Sequence, residues 1–522
     1  MSFDICVYID RQGIKMASVR TKMLLTTVFL IFTIFGLYCI YDSLKPKYFP
    51  PGPFWLPIIG CLVNFKRLRS KHGFTHLAVK QLEKSYGPIL GLKLGWQKVV
   101  IISTYDLVKE ALLRDEFNGR PESFFFKVRS FGKKKGVLFT EGRTWSQCRR
   151  FTMRHLRSFG FGQSMMATKL TTEVQYLVEN LRKQCKNGPV QMDNAFDVAV
   201  INALWTMLTG CRFEYDDEKS TEILESVHTS FRIADTMGGL VSHMPFLRFI
   251  APKWCNYDET MRILRMQWKF IDDEITKHEL DLTDSEQPRD LIEAFLLEIA
   301  SRKENNSDEV FDRENLIILC LDLLLAGTQT TSDMLAITIL FLSLNPQWVK
   351  PLKEELDKQT GRTRAPTIED SSSLPMVEAF LAEAQRYLIM APFGVPHRTT
   401  VDVEFNGYRI PKNTLILYDF FSVNNDPIYW DHPEEFRPQR FLDENGQFRQ
   451  NNWNIPFGLG KRRCLGELLA RSTYFLYFVY FIYYFDFDIS PAHGIPDPNG
   501  YDSFTVSPKP YYLKLSMRSD IK

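Results

Sequence analysis

The longest uncharged hydrophobic stretch of the chain lies near its N-terminus. The segment MLLTTVFLIFTIFGLYCIY runs from Met23 to Tyr41 without a charged side chain. A helix needs about 20 apolar residues to cross the hydrocarbon core of a bilayer, and this segment is close to that length. A cleaved signal peptide usually has a shorter apolar region that ends in a small-residue cleavage site. The pattern therefore predicts a single transmembrane anchor over residues 23–41, preceded by an N-terminal flank over residues 1–22.

Proline interrupts the segment that follows the anchor. PPGP occupies positions 50–53, and Pro57 follows. Proline fixes φ and removes a backbone donor, so this run is expected to form a semi-rigid spacer rather than a helix. We interpret residues 42–57 as a hinge and residues 58–522 as one large body, because no interior stretch has the composition of a long linker. Basic residues flank the anchor on both sides, so the positive-inside rule does not orient it.

Helical periodicity dominates the body, and alternation typical of strands is confined mainly to residues 91–102 and 403–417. One predicted helix runs from about Asp312 to Leu344 and has a polar centre, which argues against a second membrane span. Another apolar run, at 475–485, is too short to span and is expected to be a core helix that continues into a strand. The fold class predicted is mainly α with small β-sheets (α+β).

Composition and charge exclude several classes of protein. Of the 522 residues, 45% are hydrophobic and 24% are charged, which suits a chain with a sizeable core. The net charge of +2 creates no global field for nucleic acid, so no nucleic-acid partner is expected. No two cysteines form a Cys-x-x-Cys pair, which favours reduced thiols over a disulfide framework or a zinc site. The cysteines are Cys6, Cys39, Cys61, Cys148, Cys185, Cys211, Cys255, Cys320 and Cys464.

One of these cysteines lies in a glycine-containing loop just before a predicted helix, ELLARSTYFLYF. The loop contains Phe457, Gly460, Arg462, Cys464 and Gly466. The glycines would let the backbone approach a flat cofactor closely. The helix N-terminus would stabilise a thiolate that can ligate a metal, and the arginine would reach an anionic group on the cofactor's rim. A buried structural cysteine beside a basic turn is the alternative for a lone cysteine.

The spacing Phe-x-x-Gly-x-Arg-x-Cys-x-Gly resembles the haem-binding loop of the cytochrome P450 family. The resemblance implies that Cys464 is the axial ligand of the haem iron and that the body has the cytochrome P450 fold. It also gives weight to Glu383 and Arg386, which lie three residues apart on one helix face. In the family such a pair is completed by a later arginine, here Arg440. The implied role of this network is to hold the haem-binding core.

The resemblance extends to residues that would contact the haem propionates. Trp145 and Arg149 match the family's Trp-x-x-x-Arg, and by similarity His397 and Arg120 join them. For either of the last two alone, a structural role is the alternative. A basic face beside the cysteine is expected to receive an acidic electron donor, with an ordinary solvated basic stripe as the alternative. The residues of this basic face are Arg150, Arg154, Arg157, Lys461 and Arg463.

The centre of the long helix contains AGTQTT over residues 326–331. A glycine within a helix costs about 1 kcal/mol relative to alanine, which calls for an explanation. In the family this glycine makes room for dioxygen and a threonine, here Thr330, helps to deliver protons. Gln329 stands where the family usually has a carboxylate, and an amide cannot release a proton. Gln329 would orient water instead, and Asp322 and Asp333 lie roughly on its helix face as possible substitutes.

The resemblance, which is closest to microsomal and particularly insect members, implies a haem-thiolate monooxygenase. Such an enzyme holds haem b (iron protoporphyrin IX) and inserts one oxygen atom from O2 into a lipophile by hydroxylation or epoxidation. The substrate classes expected are sterols, terpenoids, fatty-acid derivatives and xenobiotics, bound by segments 124–137, 388–395 and 504–506. A haem-thiolate isomerase or dehydratase and a non-catalytic membrane haem sensor or carrier remain as alternatives.

The family also implies partners and a location. Electrons would come from NADPH through NADPH-cytochrome P450 reductase, with cytochrome b5 as a second donor. The single N-terminal anchor would hold the protein in the endoplasmic reticulum membrane, and the haem-thiolate catalytic domain over residues 58–522 would lie in the cytosol.

Overall fold

The structure, a computed structural model, describes residues 2–282, 287–303 and 310–519. Most of this part of the chain is helical. The first helices are α1 (Ser2–Ser43), α2 (Leu62–His72), α3 (Thr75–Tyr86), α4 (Tyr105–Leu113), α5 (Phe124–Val128), α6 (Gly142–Ser158), α7 (Ser164–Gln184), α8 (Asp197–Thr209) and α9 (Glu218–Ile233). They are followed by α10 (Gly239–His243), α11 (Leu247–Ile250), α12 (Tyr257–Leu280), α13 (Leu291–Lys303), α14 (Arg313–Leu344), α15 (Val349–Thr360), α16 (Pro375–Tyr387), α17 (Phe420–Asn424) and α18 (Glu467–Tyr484).

The strands are short and form small sheets. They are β1 (Ile89–Leu94), β2 (Gln97–Ile102), β3 (Val190–Gln191), β4 (His397–Arg398), β5 (Val403–Phe405), β6 (Tyr408–Ile410), β7 (Leu415–Tyr418), β8 (Phe485–Ile489), β9 (Tyr501–Asp502), β10 (Val506–Ser507) and β11 (Tyr512–Met517). The largest sheet has the order β1-β2-β7-β4, in which β2 and β7 are parallel and the other pairs are antiparallel. A second sheet has the order β3-β11-β8. The prediction of a mainly helical fold with small sheets is confirmed.

The strand segments predicted from alternation are confirmed. Residues 91–102 form most of the hairpin β1–β2, whose register pairs Ile89 with Ile102. Residues 403–417 contain β5, β6 and most of β7. The apolar run 475–485 completes α18 at Tyr484, and β8 begins at the next residue. A helix therefore continues directly into a strand, as its length and composition predicted.

Helix α14 forms the centre of the body and packs against α8, α12 and α18. It begins where predicted, because the Asp312 carboxylate caps it by accepting the backbone N–H of Asn315 at 2.6 Å. Helix α14 is long and apolar enough to cross a membrane, but most of it is buried inside the protein. Its apolar side chains face other helices on nearly all sides, which is the pattern of a core helix.

Helix α1 has the opposite environment. Its segment Arg20–Ser43 is also long and apolar enough to cross a membrane, and none of it is buried in the protein. At its end, the Asp42 carboxylate accepts the backbone N–H of Ile58 at 2.6 Å and pairs with the Lys93 ammonium at 2.5 Å. The Gly91 N–H of β1 donates to the carbonyl of Pro51 at 2.7 Å, so the proline-rich segment lies against the sheet.

Candidate active site

The cysteine loop joins a single 3-10 turn, Gly460–Arg462, to the start of α18. The backbone N–H of Cys464 donates to the Phe457 carbonyl at 3.0 Å, which closes the loop. The exposed surface of Cys464 faces a large internal cavity of about 440 Å³, where protein atoms still surround the thiol. Burial of the thiol by the surrounding protein raises its pKa, while the N–H of Gly466 at the start of α18 acts in the opposite direction. The sulfur is thus presented to the cavity by a closed loop.

The two loop glycines have different structural reasons. Gly460 has φ +71°, and a Cβ there would lie 2.5 Å from the carbonyl oxygen of Leu112 in α4. Gly460 therefore permits a close approach to α4, which the sequence did not predict. A Cβ on Gly466 would meet no atom within 4 Å among the residues that the structure describes, and Gly466 lines the cavity. Gly466 is therefore the glycine that leaves space at the cavity for a flat cofactor.

All five predicted contacts of the cofactor's rim line the same cavity: Arg120, Trp145, Arg149, His397 and Arg462. The Arg462 guanidinium lies 4.2 Å from the centre of the Trp145 ring, a cation–π distance. Arg462 donates to the carbonyl of Thr140 at 2.7 Å, and Arg120 donates to that of Pro396 at 2.8 Å. The Nε of Arg120 and one terminal nitrogen of Arg462 are buried and, in the described chain, have no hydrogen-bond partner.

These cations are poorly compensated by acids. Burial and the neighbouring Arg149 lower the pKa of Arg462 to about 10, although Glu141 acts against them. Burial and the charge of Arg462 lower the pKa of Arg120. Burial and the charges of Arg120 and Arg462 lower the pKa of His397. Buried donors without acceptors are costly and call for a ligand. This rim fits the carboxylates of an iron porphyrin, so the residues present agree with a haem site.

The predicted ion-pair network is assembled away from the cavity. Arg386 donates through two nitrogens to the two carboxylate oxygens of Glu383, each at 2.7 Å, and both side chains are fully buried. Arg440 completes the network with its Nε 3.3 Å from the same carboxylate. The remaining guanidinium donors reach backbone carbonyls such as that of Pro433 at 2.9 Å. The network therefore ties α16 to the loop that precedes the cysteine.

On the opposite wall, α14 presents Ala326, Gly327 and Thr330 to the cavity. The Thr330 hydroxyl donates to the Ala326 carbonyl at 2.8 Å. A Cβ on Gly327 would lie 2.5 Å from a terminal carbon of Leu204 in α8, so close helix packing is one reason for this glycine. The sequence had suggested only room for dioxygen. Thr330 and its neighbour Thr331 both line the cavity, and Thr330 is the one that matches the family's threonine.

Gln329 does not line the cavity. Its side chain is buried, and its amide donates to both carboxylate oxygens of Asp333 at 2.9 Å, one turn along α14. The Ser507 hydroxyl of β10 donates to the same carboxylate at 2.7 Å. Burial raises the pKa of Asp333 to about 7, against the effect of these hydrogen bonds. Thr505, 3.4 Å from Asp333, lines the cavity and so joins this polar cluster to it.

Asp322 is the other acid considered as a substitute, and it does line the cavity. One of its oxygens accepts the backbone N–H groups of Val137 and Leu138 at 2.7 and 2.8 Å. The other lies 2.6 Å from a terminal nitrogen of Arg129. Arg129 lies within the predicted pocket segment 124–137, but no motif marked it as a buried charge at the cavity, because a loop arginine outside any motif carries no signal of its burial. Asp322 could be noticed as a lone carboxylate in an apolar helix.

Members of all three predicted pocket segments line the cavity, including Phe125, Val137, Met390, Phe393 and Phe504. Most of the lining is aliphatic or aromatic, which suits a lipophilic ligand. The cavity therefore places a cysteine sulfur, a cationic rim and a helix hydroxyl around an apolar space.

The basic face beside the cysteine is exposed in all five of its members. Two of them are paired with acids, since Lys461 lies 2.6 Å from Asp115 and Arg463 lies 2.5 Å from Glu467. Such exposed pairs are weak and can exchange with an external acidic partner.

Comparison with known proteins agrees with this arrangement. The protein-family model described as "Cytochrome P450" matches residues 50–515. The chain is 32% identical over 499 residues to "Farnesoate epoxidase" of Bombyx mori, covering 96% of this chain and 100% of that protein. It is 34% identical to "Probable cytochrome P450 303a1" of Drosophila melanogaster, covering 94% and 99%. It is also 34% identical to "Cytochrome P450 2J3" of Rattus norvegicus, covering 85% and 86%.

Proposed function

This chain belongs to the cytochrome P450 family of haem-binding monooxygenases, and on that premise we propose that it oxidises an acyclic terpenoid with one atom of O2. We propose epoxidation or hydroxylation as the reaction, haem b as the cofactor and Cys464 as its axial ligand. The observation that carries the proposal is the shared cavity, which Cys464, the cationic rim and Thr330 all line beside an apolar wall.

The residues of the site have separate roles in this proposal. Bound haem supplies the activation of dioxygen, for which no protein side chain is suited. Cys464 holds the iron, and Gly466 leaves space for the ring. The haem propionates would be held by the five residues of the cationic rim: Arg120, Trp145, Arg149, His397 and Arg462. On the cysteine side, the centre of the Phe457 ring lies 4.8 Å from the guanidinium of Arg471.

On the oxygen side, the Thr330 hydroxyl holds a proton at the cavity surface, and the apolar wall excludes water that would divert it. We assign Gln329 to positioning, because its amide holds Asp333 and the neighbouring turn of α14 rather than facing the cavity. The presence of Thr330 at the cavity favours a monooxygenase over an isomerase or dehydratase, which needs no proton delivery to dioxygen.

The substrate proposal rests on the lining and on one relative. The cavity is mostly apolar, and the Bombyx mori relative is named for epoxidation of farnesoate. A flexible, unsaturated terpenoid fits both observations. Sterols, fatty-acid derivatives and xenobiotics are the other lipophile classes that a test panel must contain.

We further propose that helix α1 anchors the protein in the endoplasmic reticulum membrane with the catalytic domain, residues 58–522, in the cytosol. Residues 23–41 would span the bilayer, residues 1–22 would precede it and residues 42–57 would act as the hinge. The basic face would receive NADPH-cytochrome P450 reductase and, as a second donor, cytochrome b5.

The test is turnover by the full chain in lipid bilayers with NADPH-cytochrome P450 reductase. The panel contains farnesoic acid, methyl farnesoate, the hydrocarbon farnesene, a sterol and a fatty acid. We expect a product that carries one oxygen atom from O2, formed in proportion to NADPH consumed. Product formed without O2 would instead indicate an isomerase or dehydratase. Haem binding without any turnover across the panel would favour a haem sensor or carrier.

A further inference from the structure

A buried arginine interrupts the apolar wall of the cavity. Arg129 follows α5 as its C-terminal cap, is only 6% exposed and lines the cavity together with Phe125 and Phe139. Its guanidinium carbon lies 5.1 Å from the centre of the Phe139 ring. The cation is therefore at the substrate surface and not in bulk solvent, and it lies outside the cationic rim described above.

The guanidinium has unused hydrogen-bond donors. One terminal nitrogen lies 2.6 Å from a carboxylate oxygen of Asp322, as an ion pair. Nevertheless, neither terminal nitrogen makes a hydrogen bond of acceptable geometry within the part of the chain that is described. A buried donor without an acceptor costs free energy, because the water that solvated it has been removed. An acceptor supplied by a ligand would remove the cost.

Asp322 also forms hydrogen bonds with the backbone of the loop that follows Arg129. Its other oxygen accepts the N–H groups of Val137 and Leu138 at 2.7 and 2.8 Å. A Cβ on Gly136, which has φ +83°, would lie 2.2 Å from that oxygen, so the loop approaches Asp322 as closely as a backbone can. The Asp322 carboxylate therefore acts mainly to hold the loop against α14. It holds Arg129 in place without using all of its donors.

The backbone around Arg129 is also rigid. The Arg129 carbonyl accepts the indole N–H of Trp268 in α12 at 3.1 Å. The nearby Phe131 ring lies 4.4 Å from the ring of Trp268. The cation is thus preorganised, so little rotamer entropy would be lost when a ligand binds it.

From these contacts we infer that Arg129 is the anchor for a carboxylate at one end of an otherwise apolar substrate. This inference rests on the proposed function, because it names the substrate class of the same cavity. Arginine binds carboxylates through paired donors, and such charge-assisted hydrogen bonds are stronger inside a protein than in water. Without such an anchor, a purely apolar cavity would prefer a neutral ester over the acid, because a carboxylate is costly to remove from water.

The position of Arg129 also determines which end of the substrate reacts. Its partner Asp322 and the oxygen-side Thr330 are eight residues apart on α14, which is about 12 Å at 1.5 Å per residue. Both line the cavity. A substrate held by its carboxylate at Arg129 would therefore be oxidised far from that carboxylate.

The experiment uses the full-length, haem-loaded protein in lipid bilayers. The change in haem absorbance measures the affinity for farnesoic acid and for methyl farnesoate. We expect the wild type to bind the acid at least about tenfold more tightly than the ester. We expect Arg129→Met to lose that preference while the affinity for the ester changes by less than about twofold. In the wild type, oxygen should enter the acid at the end remote from the carboxylate, and in Arg129→Met the position should become mixed.

A matched control is Lys133→Ala, which removes an exposed cation of the same loop whose partner is Glu314. It should leave the ratio of acid to ester affinity unchanged. Arg129→Lys keeps the charge but loses the paired donors, and should retain only part of the preference. A wild-type affinity for the acid no higher than for the ester overturns the inference even if Arg129→Met fails to fold. Oxidation of the ester or hydrocarbon without a preference for the acid overturns the carboxylate anchor and leaves the monooxygenase proposal standing.

Discussion

The cysteine loop and the oxygen-side turn of α14 line the same cavity, but they depend on different kinds of information. In the loop, one short closed segment brings Phe457, Arg462, Cys464 and Gly466 to the cavity, and its remaining motif residue, Gly460, packs against α4. In α14, the residue that departs from the family pattern, Gln329, does not line the cavity at all. Its partner Asp333 and the hydroxyl of Ser507 do not line the cavity either.

The difference teaches that spacing is enough to interpret the residues of a local motif. The role of a polar residue in a buried helix cannot be interpreted from spacing alone. The motif places Cys464 by backbone hydrogen bonds within ten residues. The role of Gln329 depends on which neighbouring element its face of α14 meets. That face meets β10, which is far away in the sequence.

Of the substitutions in these two regions, removal of the Cys464 sulfur is expected to reduce turnover most. Cys464→Ala should abolish monooxygenase turnover and the thiolate-type absorbance of the reduced, carbon-monoxide-bound protein, because no cysteine thiol remains among the described residues that line the cavity. Cys211→Ala, which removes an exposed cysteine elsewhere, is the control and should keep both signals. Survival of the thiolate-type spectrum in Cys464→Ala would contradict the assignment of the ligand.

The oxygen side should be less sensitive. Thr330→Ala removes the hydroxyl at the cavity and should lower product formation roughly 100-fold while NADPH consumption continues, because general acid–base groups contribute on that scale. Thr330→Ser should recover most of the loss. Thr328→Ala is the matched control, since Thr328 donates to the Leu324 carbonyl at 2.7 Å and does not line the cavity. An unchanged ratio of product to NADPH in Thr330→Ala would exclude the proton-holding role.

The polar cluster of Gln329, Asp333 and Ser507 should change the free energy of unfolding with pH. The pKa of Asp333 rises from 3.8 to about 7 mainly because of burial, so between these pH values the folded protein binds a proton that the unfolded chain has lost. The free energy of unfolding should therefore fall as the pH rises through this range. Asp333→Asn keeps a neutral side chain and should gain on the order of 4 kcal/mol relative to the wild type between pH 4 and pH 7, because each pH unit in this range costs the wild type about 1.4 kcal/mol.

Thermal unfolding of both proteins at the two pH values measures this difference. Burial also raises the pKa of Asp419 to about 7, but Asp419 is present in both proteins and its contribution cancels. Parallel pH profiles of wild type and Asp333→Asn would show that the buried carboxyl does not carry the effect.

Restoring the family's carboxylate should have the smallest effect on turnover. Gln329→Glu places an acid where the amide now lies 2.9 Å from Asp333, away from the cavity. We expect the ratio of product to NADPH to change by less than about twofold. A large gain in this ratio would show that position 329 does belong to the proton route, and the contrast between the two regions would then be wrong.

The fold was predicted in outline because its main signals are local. The length and apolar composition of α14 and α1 predicted two long helices, and alternation predicted the hairpin β1–β2 and the strands near β7. For two glycines the structure shows a packing reason that the sequence did not predict. Gly460 and Gly327 are needed for packing against Leu112 and Leu204, and these contacts join segments that are far apart in the sequence.

The sequence by itself determined the family, and it predicted the ligand cysteine, the rim cations and the members of the Glu383–Arg386 network, because those chemistries depend on residue types at fixed spacing. Only the tertiary structure decided that Gln329 is turned away from the cavity and that Arg129 enters it with unused donors. The physical reason is burial. Whether a polar side chain is a ligand, a structural partner or an exposed charge depends on the neighbours that folding brings to it, and spacing along the chain does not encode those neighbours.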